Sequence, residues 1–348
     1  MVKHINLALQ GGGAHGAFTW GVLDRLLDDE RLKIAAITGT SAGALNGAAL
    51  KAGLMADGSG YDRAGAKASL DALWHRVGGI HDLRLTNWLS SIFAPNDTLT
   101  QVMELSPTSI MADFATRLVS PYHIGPFYQN PLRSVVDALA FDAVCAQHGP
   151  KLFIAATNVR SGKVRVFSGE ELSTDVILAS ACLPTIFQAV EIDDPQTGRR
   201  EAFWDGGYTA NPALFPLFDK GLPDDLVIVN INPLHREDLP KTPTEIHNRV
   251  NEISFNSSLL RELRAISFVK RLIAEGAVKR GTMKDVLVHM IADDDLMGDL
   301  SAVTKLTPTP VMLTRMKEAG RRAADHFLDA HFDDIGARGS VDLAEMFG

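Results

Sequence analysis

Twice within its first fifty residues the chain passes from a short apolar run, through a glycine-built turn, into a segment of helical periodicity. The first run, residues 5–9, stops at Gly11-Gly12-Gly13, and Phe18, Val22, Leu23, Leu26 and Leu27 then fall at helical spacing. The second run, 34–37, ends in Gly39-Thr40-Ser41-Ala42-Gly43 and an alanine-rich stretch reaching Lys51. Such uninterrupted apolar runs are strands buried on both faces. Strand, helix, strand and helix in so short a span dictate a parallel sheet with right-handed crossovers.

Later segments continue the alternation. The pattern predicts a helix within 70–77, another over 132–144, and a strand over 151–157 that turns at Ser161-Gly162 into a partner at 164–167. A helix over 175–182 stops before Pro184, and a hairpin joins 189–192 to 200–204 around the turn formers at 194–198. A strand at 226–231, a long helix over about 252–276, a strand at 286–291 and a helix over 310–328 complete the pattern. No linker interrupts it, so 4–335 reads as one α/β domain with a mostly parallel central sheet, and 336–348 as a C-terminal tail. Residues 54–130, punctuated by Pro95, Pro107, Pro121 and Pro126, have room for a cap or lid.

Composition narrows the function classes. At 348 residues and 46% hydrophobic the chain can bury a large core and is too apolar for disorder. Its 34 Lys+Arg against 42 Asp+Glu give a net charge of −8, which argues against nucleic acid as a partner. Cys145 and Cys182 form no disulfide framework, which suits a reducing, cytoplasmic setting. There is no leader-like N-terminus and no window of about 18 uncharged apolar residues, so any membrane contact is expected to be peripheral.

The loop Gly11-Gly12-Gly13-Ala14-His15-Gly16 satisfies the dinucleotide pattern G-x-G-x-x-G. The acidic residue that should close the second strand of such a site is missing, because that strand ends in Thr38-Gly39-Thr40-Ser41. Amides converging at a helix N-terminus serve a developing oxyanion as well as a phosphate. Gly39-Thr40-Ser41-Ala42-Gly43 is G-x-S-x-G between strand and helix, the context of a nucleophile elbow with Ser41 exposed at its tip. An activated serine needs a base. His289 sits in a strand-like run and His326 in a helix, with no loop to present either. Asp205-Gly206-Gly207, directly after the strand, is better placed, although Asp-Gly-Gly by itself is an ordinary turn.

In this order and spacing, Gly11–Gly16, Gly39–Gly43 and Asp205-Gly206-Gly207, with Ala179-Ser180, Pro184 and Phe187 upstream of the last, resemble the patatin-like phospholipase family. The resemblance covers about residues 4–215. It implies a three-layer α/β/α sandwich and lipid acyl-ester hydrolysis on a Ser–Asp dyad without histidine. Ser41 would be nucleophile and Asp205 base, with the amides of Gly12, Gly13 and Ala14 as oxyanion hole. No cofactor is expected, and no metal, because no His/Cys cluster has zinc spacing. An acyltransferase on the same site and a non-catalytic nucleotide- or lipid-binding module using the glycine loop are the rival readings. His15 departs from the family, which has Lys or Arg there, and is expected to be a packing residue.

Other signals are weaker. Trp88, Leu89, Ile92 and Phe93 make a helical apolar stripe, expected in the core before an interfacial lid. The cations from Arg261 to Lys284 form a basic face that could meet anionic headgroups. The apolar residues of 211–218 either line an acyl channel or pack the core. Asp293-Asp294-Asp295 lacks the oxygen ligands of a calcium loop, because Met297 and Thr304 stand where they are needed.

Overall fold

The computed structural model describes residues 2–58, 60–80, 120–123, 128–299 and 308–347. The 88–93 stripe and much of the 54–130 segment lie outside the described residues. Eight strands form one sheet: β1 (Lys3–Leu9), β2 (Leu32–Gly39), β3 (Lys151–Asn158), β4 (Val164–Ser168), β5 (Val190–Asp194), β6 (Arg199–Asp205), β7 (Asp225–Val229) and β8 (Leu287–Ile291). Their order is β5-β6-β3-β2-β1-β7-β8, with β4 also paired to β3. The run β3-β2-β1-β7-β8 is parallel, and β4, β5 and β6 add antiparallel pairs.

The described helices are α1 (Gly16–Leu26), α2 (Ala42–Leu54), α3 (Arg63–Gly78), α4 (Arg133–Val136), α5 (Phe141–Val144), α6 (Thr174–Ser180), α7 (Pro243–Ala274), α8 (Asp294–Asp299), α9 (Pro310–His331) and α10 (Leu343–Phe347). Strand alternation assigns them to two faces. Leu7 and Leu9 of β1 and Val227 and Val229 of β7 share a cluster with Phe18, Leu50, Leu73 and Phe327 of α1, α2, α3 and α9. Ala8, Leu226 and Ile228 turn the other way, to Leu259, Leu263 and Ile266 of α7. The result is a three-layer α/β/α sandwich on a mixed, mostly parallel sheet.

Two elements differ from the sequence reading. The 132–144 helix is two single turns, α4 and α5, with Ala140 outside the helical region at ψ 87°. Val135, Val136, Leu139 and Val144 are all buried, so one apolar spacing serves two separate turns. The long helix α7 starts at Pro243, well before 252, where Thr242 and Glu245 form a capping box. Its first turns hold Ile246, Val250 and Ile253 outward, so the buried periodicity starts later than the helix.

Residues 336–347 lie against the lower end of the sheet. Gly336 N donates to Asp225 Oδ1 at 2.7 Å and Val341 N to Val288 O at 3.2 Å. Among the described residues no helix is long and apolar enough to cross a membrane.

Candidate active site

Register alone brings two of the motifs together. Along β3, Ile154 pairs with Gly39 of β2, and Ala156 pairs with Asp205 of β6. Both residues also pair with β4, so β2 and β6 must share the opposite edge of β3. They run along it in opposite directions and meet end to end. The chain leaving β2 at Ser41 therefore faces the chain leaving β6 at Asp205.

Ser41 takes φ 54°, the left-handed region, alone among the described non-glycine residues, at the N-terminus of α2. That strain is held by its neighbours. Ser41 N donates to Ser180 Oγ at 2.9 Å, and Ser180 Oγ donates to Ala155 O at 2.7 Å. Thr40 Oγ1 donates to Ala210 O at 2.8 Å, tying the elbow to the loop beyond Asp205. Gly39 and Gly43 let the turn close on itself, and a Cβ on Gly43 would stand 2.1 Å from Leu9 O.

Asp205 is 2% exposed. Its Oδ1 accepts from Gly207 N at 2.7 Å, and the Ser41 side chain lies close enough to favour its charged form. Burial pushes its carboxyl up to about 7, against the opposing pull of Gly207 N–H and the Ser41 hydroxyl. Gly206 begins the short 3-10 turn to Tyr208 and packs on Ala155 O. Cys182, whose carbonyl accepts from Asp205 N at 2.8 Å, is a buried thiol that burial pushes up to about 12.

The glycine loop runs beside the elbow. Gly11 lies so close that a Cβ there would stand 2.6 Å from Ser41 Cβ. Its N–H is already used, donating to Asn211 Oδ1 at 2.7 Å. Residues Gly13–His15 form a 3-10 turn, with Gly13 at φ 60°, and Gly16 opens α1 against Ala42. Among the described residues no acceptor takes the amides of Gly12, Gly13 or Ala14. His15 is buried at the foot of α1.

Neither histidine reaches this end of the sheet. His289 is buried in β8, with Nε2 3.0 Å from Asp225 Oδ1 and Nδ1 3.2 Å from Ser340 Oγ. Asp225 opens β7, level with the lower half of β1, whereas Ser41 follows the upper end of β2. His326 is exposed on α9.

A cleft of about 450 Å³ adjoins the Asp205 turn, lined by Tyr208, Thr209, Ser258, Arg261 and Glu262 with Gly162 and Val164. Glu262 accepts from Leu214 N at 3.0 Å and Phe215 N at 2.7 Å, and burial pushes its carboxyl up to about 7. Within 211–218, Ala213, Leu214 and Leu217 pack the core and Phe215 is exposed. Two cations of the basic face are tied down. Lys284 Nζ donates to the carbonyls of Leu217, Asp219 and Leu222, and Lys270 pairs with Asp285 at 2.7 Å. Arg261, Arg264, Arg271, Lys279 and Arg280 remain exposed. The sequence reading missed the buried carboxamides of Gln10, Asn211, Asn232 and Asn256 around Gly11. Nothing in their spacing marks them.

A family model described as patatin-like phospholipase matches residues 7–218. Among solved structures, the chain is similar to VipD from Legionella pneumophila, at 16% identity and a TM-score of 0.41, covering 94% of this chain and 67% of that one. It is also similar to a chain of the heterodimeric ExoU–SpcU complex from the type III secretion system of Pseudomonas aeruginosa. There the identity is 19% and the TM-score 0.28, covering 97% of this chain and 63% of that one. No curated protein matches it significantly.

Proposed function

The chain belongs to the patatin-like phospholipase family, and on that premise we propose that it is a serine lipid acyl hydrolase working through a Ser41–Asp205 dyad. The family supports lipid acyl hydrolysis in general. One observation carries the finer reading: the sheet register brings the Ser41 turn to face Asp205, a carboxyl so deeply buried that burial pushes it up to about 7. An ordinary carboxylate is too weak a base for an alcohol proton, and one poised near neutrality is far better matched to the task.

In this mechanism Ser41 Oγ attacks the acyl carbonyl as its proton passes to Asp205. The oxyanion is received by the amides of Gly12, Gly13 and Ala14 at the start of α1. Asp205 returns the proton to the departing alcohol, leaving the acyl group on Ser41. Water, deprotonated by Asp205, then attacks the acyl carbonyl, and Asp205 returns the proton to Ser41 Oγ as the fatty acid leaves. The substrate is a fatty-acyl ester of a phospholipid or a related lipid. The exposed Tyr208 and Phe215 and the outward Ile246, Val250 and Ile253 of α7 supply apolar surface, and Arg261 and Arg264 positive charge, for peripheral contact with lipid.

The test is intact-mass and peptide analysis after fluorophosphonate treatment, with Ser41→Ala alongside. One adduct on Ser41, absent from the variant, is expected together with Ser41-dependent ester turnover. A folded, ester-cleaving protein labelled elsewhere or not at all would overturn the reading. The absence of any adduct or turnover would favour a binding module. Adding an alcohol acceptor to the assay separates hydrolysis from acyl transfer by product.

A further inference from the structure

The dyad accounts for the nucleophile and the base, but not for what aims the glycine loop at them. Beneath that loop Gln10, Asn211, Asn232 and Asn256, none more than 3% exposed, form a hydrogen-bonded carboxamide cluster. They come from the end of β1, the loop after β6, the end of β7 and the middle of α7. Gln10 Nε2 donates to Asn256 Oδ1 at 3.2 Å and to Asn211 O at 3.3 Å. Gln10 Oε1 accepts from Ile231 N at 2.9 Å and from Asn232 Nδ2 at 3.1 Å. Asn256 Nδ2 donates to Pro233 O at 3.0 Å. Burying four carboxamides is costly unless every one is paired, and an apolar interior would be the cheaper solution.

The cluster grips one residue, Gly11, through the peptides on both of its sides. Gly11 N–H donates to Asn211 Oδ1 at 2.7 Å, and Gly11 O accepts from Asn232 Nδ2 at 2.8 Å and from Asn211 Nδ2 at 3.3 Å. A trans peptide is planar, with its C=O and N–H pointing in opposite directions. Drawing Gly11 C=O into the cluster therefore turns the Gly12 N–H, on the same plane, out of it. Gly11 itself abuts Ser41. We propose that Asn211 and Asn232 are positioning residues that set the oxyanion hole by fixing the Gly11–Gly12 peptide plane. The inference rests on the acyl-hydrolase reading above and adds to it. Because Asn211 lies on the loop that carries Asp205, the same side chain ties the base to the oxyanion loop.

The test compares p-nitrophenyl butyrate with its thiono analogue, in the parent, Asn232→Ala and Asn211→Asp. Sulfur is a weak hydrogen-bond acceptor, so a thiono ester draws little from the hole. Asn211→Asp is nearly isosteric and keeps the acceptor for Gly11 N–H. It turns a carboxylate oxygen toward Gly11 O, and it keeps the test open should Asn232→Ala fail to fold. For the folded variants kcat on the oxo ester is expected to fall by about 10- to 100-fold with little change in KM, and the oxo/thiono rate ratio by a similar factor. A loss of folded fraction would lower both esters equally and leave the ratio unchanged. That result, or an unchanged kcat, would overturn the positioning role while leaving the dyad standing. A parent without Ser41-dependent turnover would overturn both.

Discussion

At the residue scale the chemistry depends on where one proton sits. With Asp205 poised near 7 and required as the unprotonated base, kcat/KM on a soluble ester is expected to rise with pH along a single ionisation near 7 and then level off. A profile already flat at pH 5 would mean that the base ionises well below 7 and that burial does not tune Asp205 to the task. The same shift carries a stability consequence. The folded chain holds this proton up to about pH 7, whereas the unfolded carboxyl releases it near 4. The folded state is therefore favoured at low pH, and that advantage is lost as pH rises through 7. Asp205→Asn should abolish turnover yet raise unfolding stability at pH 8, on the order of 2–4 kcal/mol, by denaturant titration. The gain should shrink as the pH falls toward 5. Ser41 and Asp205 stood out in the sequence because glycine punctuates both turns. The carboxamides did not, because positions 10, 211, 232 and 256 become neighbours only when four elements assemble.

At the scale of elements, the short strands at 5–9 and 34–37 were legible because both of their faces are buried, and the structure extends each only at its ends. The start of α7 was signalled by Thr242, Pro243 and Glu245, but a reading that follows buried spacing passes over a helix whose first turns face outward. Helix partners were not legible at all. α9 packs across α1 so closely that a Cβ on Gly320 would stand 2.0 Å from Phe18 O, and one on Gly21 would stand 1.9 Å from Lys317 O. The ion pairs Asp24–Arg321 and Arg25–Asp325 flank that crossing. Gly320→Ala must separate the two backbones, so a lower urea midpoint is expected, worth about 1–3 kcal/mol, with turnover per folded molecule little changed. An unchanged midpoint would mean that α9 can leave α1 without cost.

At the scale of the whole molecule, the family match ends at residue 218, yet the sheet does not. β7 pairs along β1 from Asn6–Leu226 to Leu9–Val229, and β8 pairs along β7. Asn232, which holds Gly11 O, Asn256, which accepts from Gln10, and Glu262, which holds the 214–215 amides, also lie beyond the match. At the lower end, Lys3 Nζ donates to Phe332 O at 2.6 Å and Ile335 O at 2.8 Å, and Asp225 receives both Gly336 N and His289. We propose that residues 4–335 fold as one cooperative unit. A chain ending at residue 220 would leave β1, buried on both faces, as an open edge, and an unpaired apolar edge strand recruits other chains. It is expected to aggregate and to take no fluorophosphonate at Ser41. The 348-residue chain is expected to show a single calorimetric transition whose van't Hoff and calorimetric enthalpies agree. Two resolved transitions, or a soluble 1–220 fragment with turnover, would divide the fold at the end of the matched region and make the strands beyond it an accessory to the site instead of a part of it.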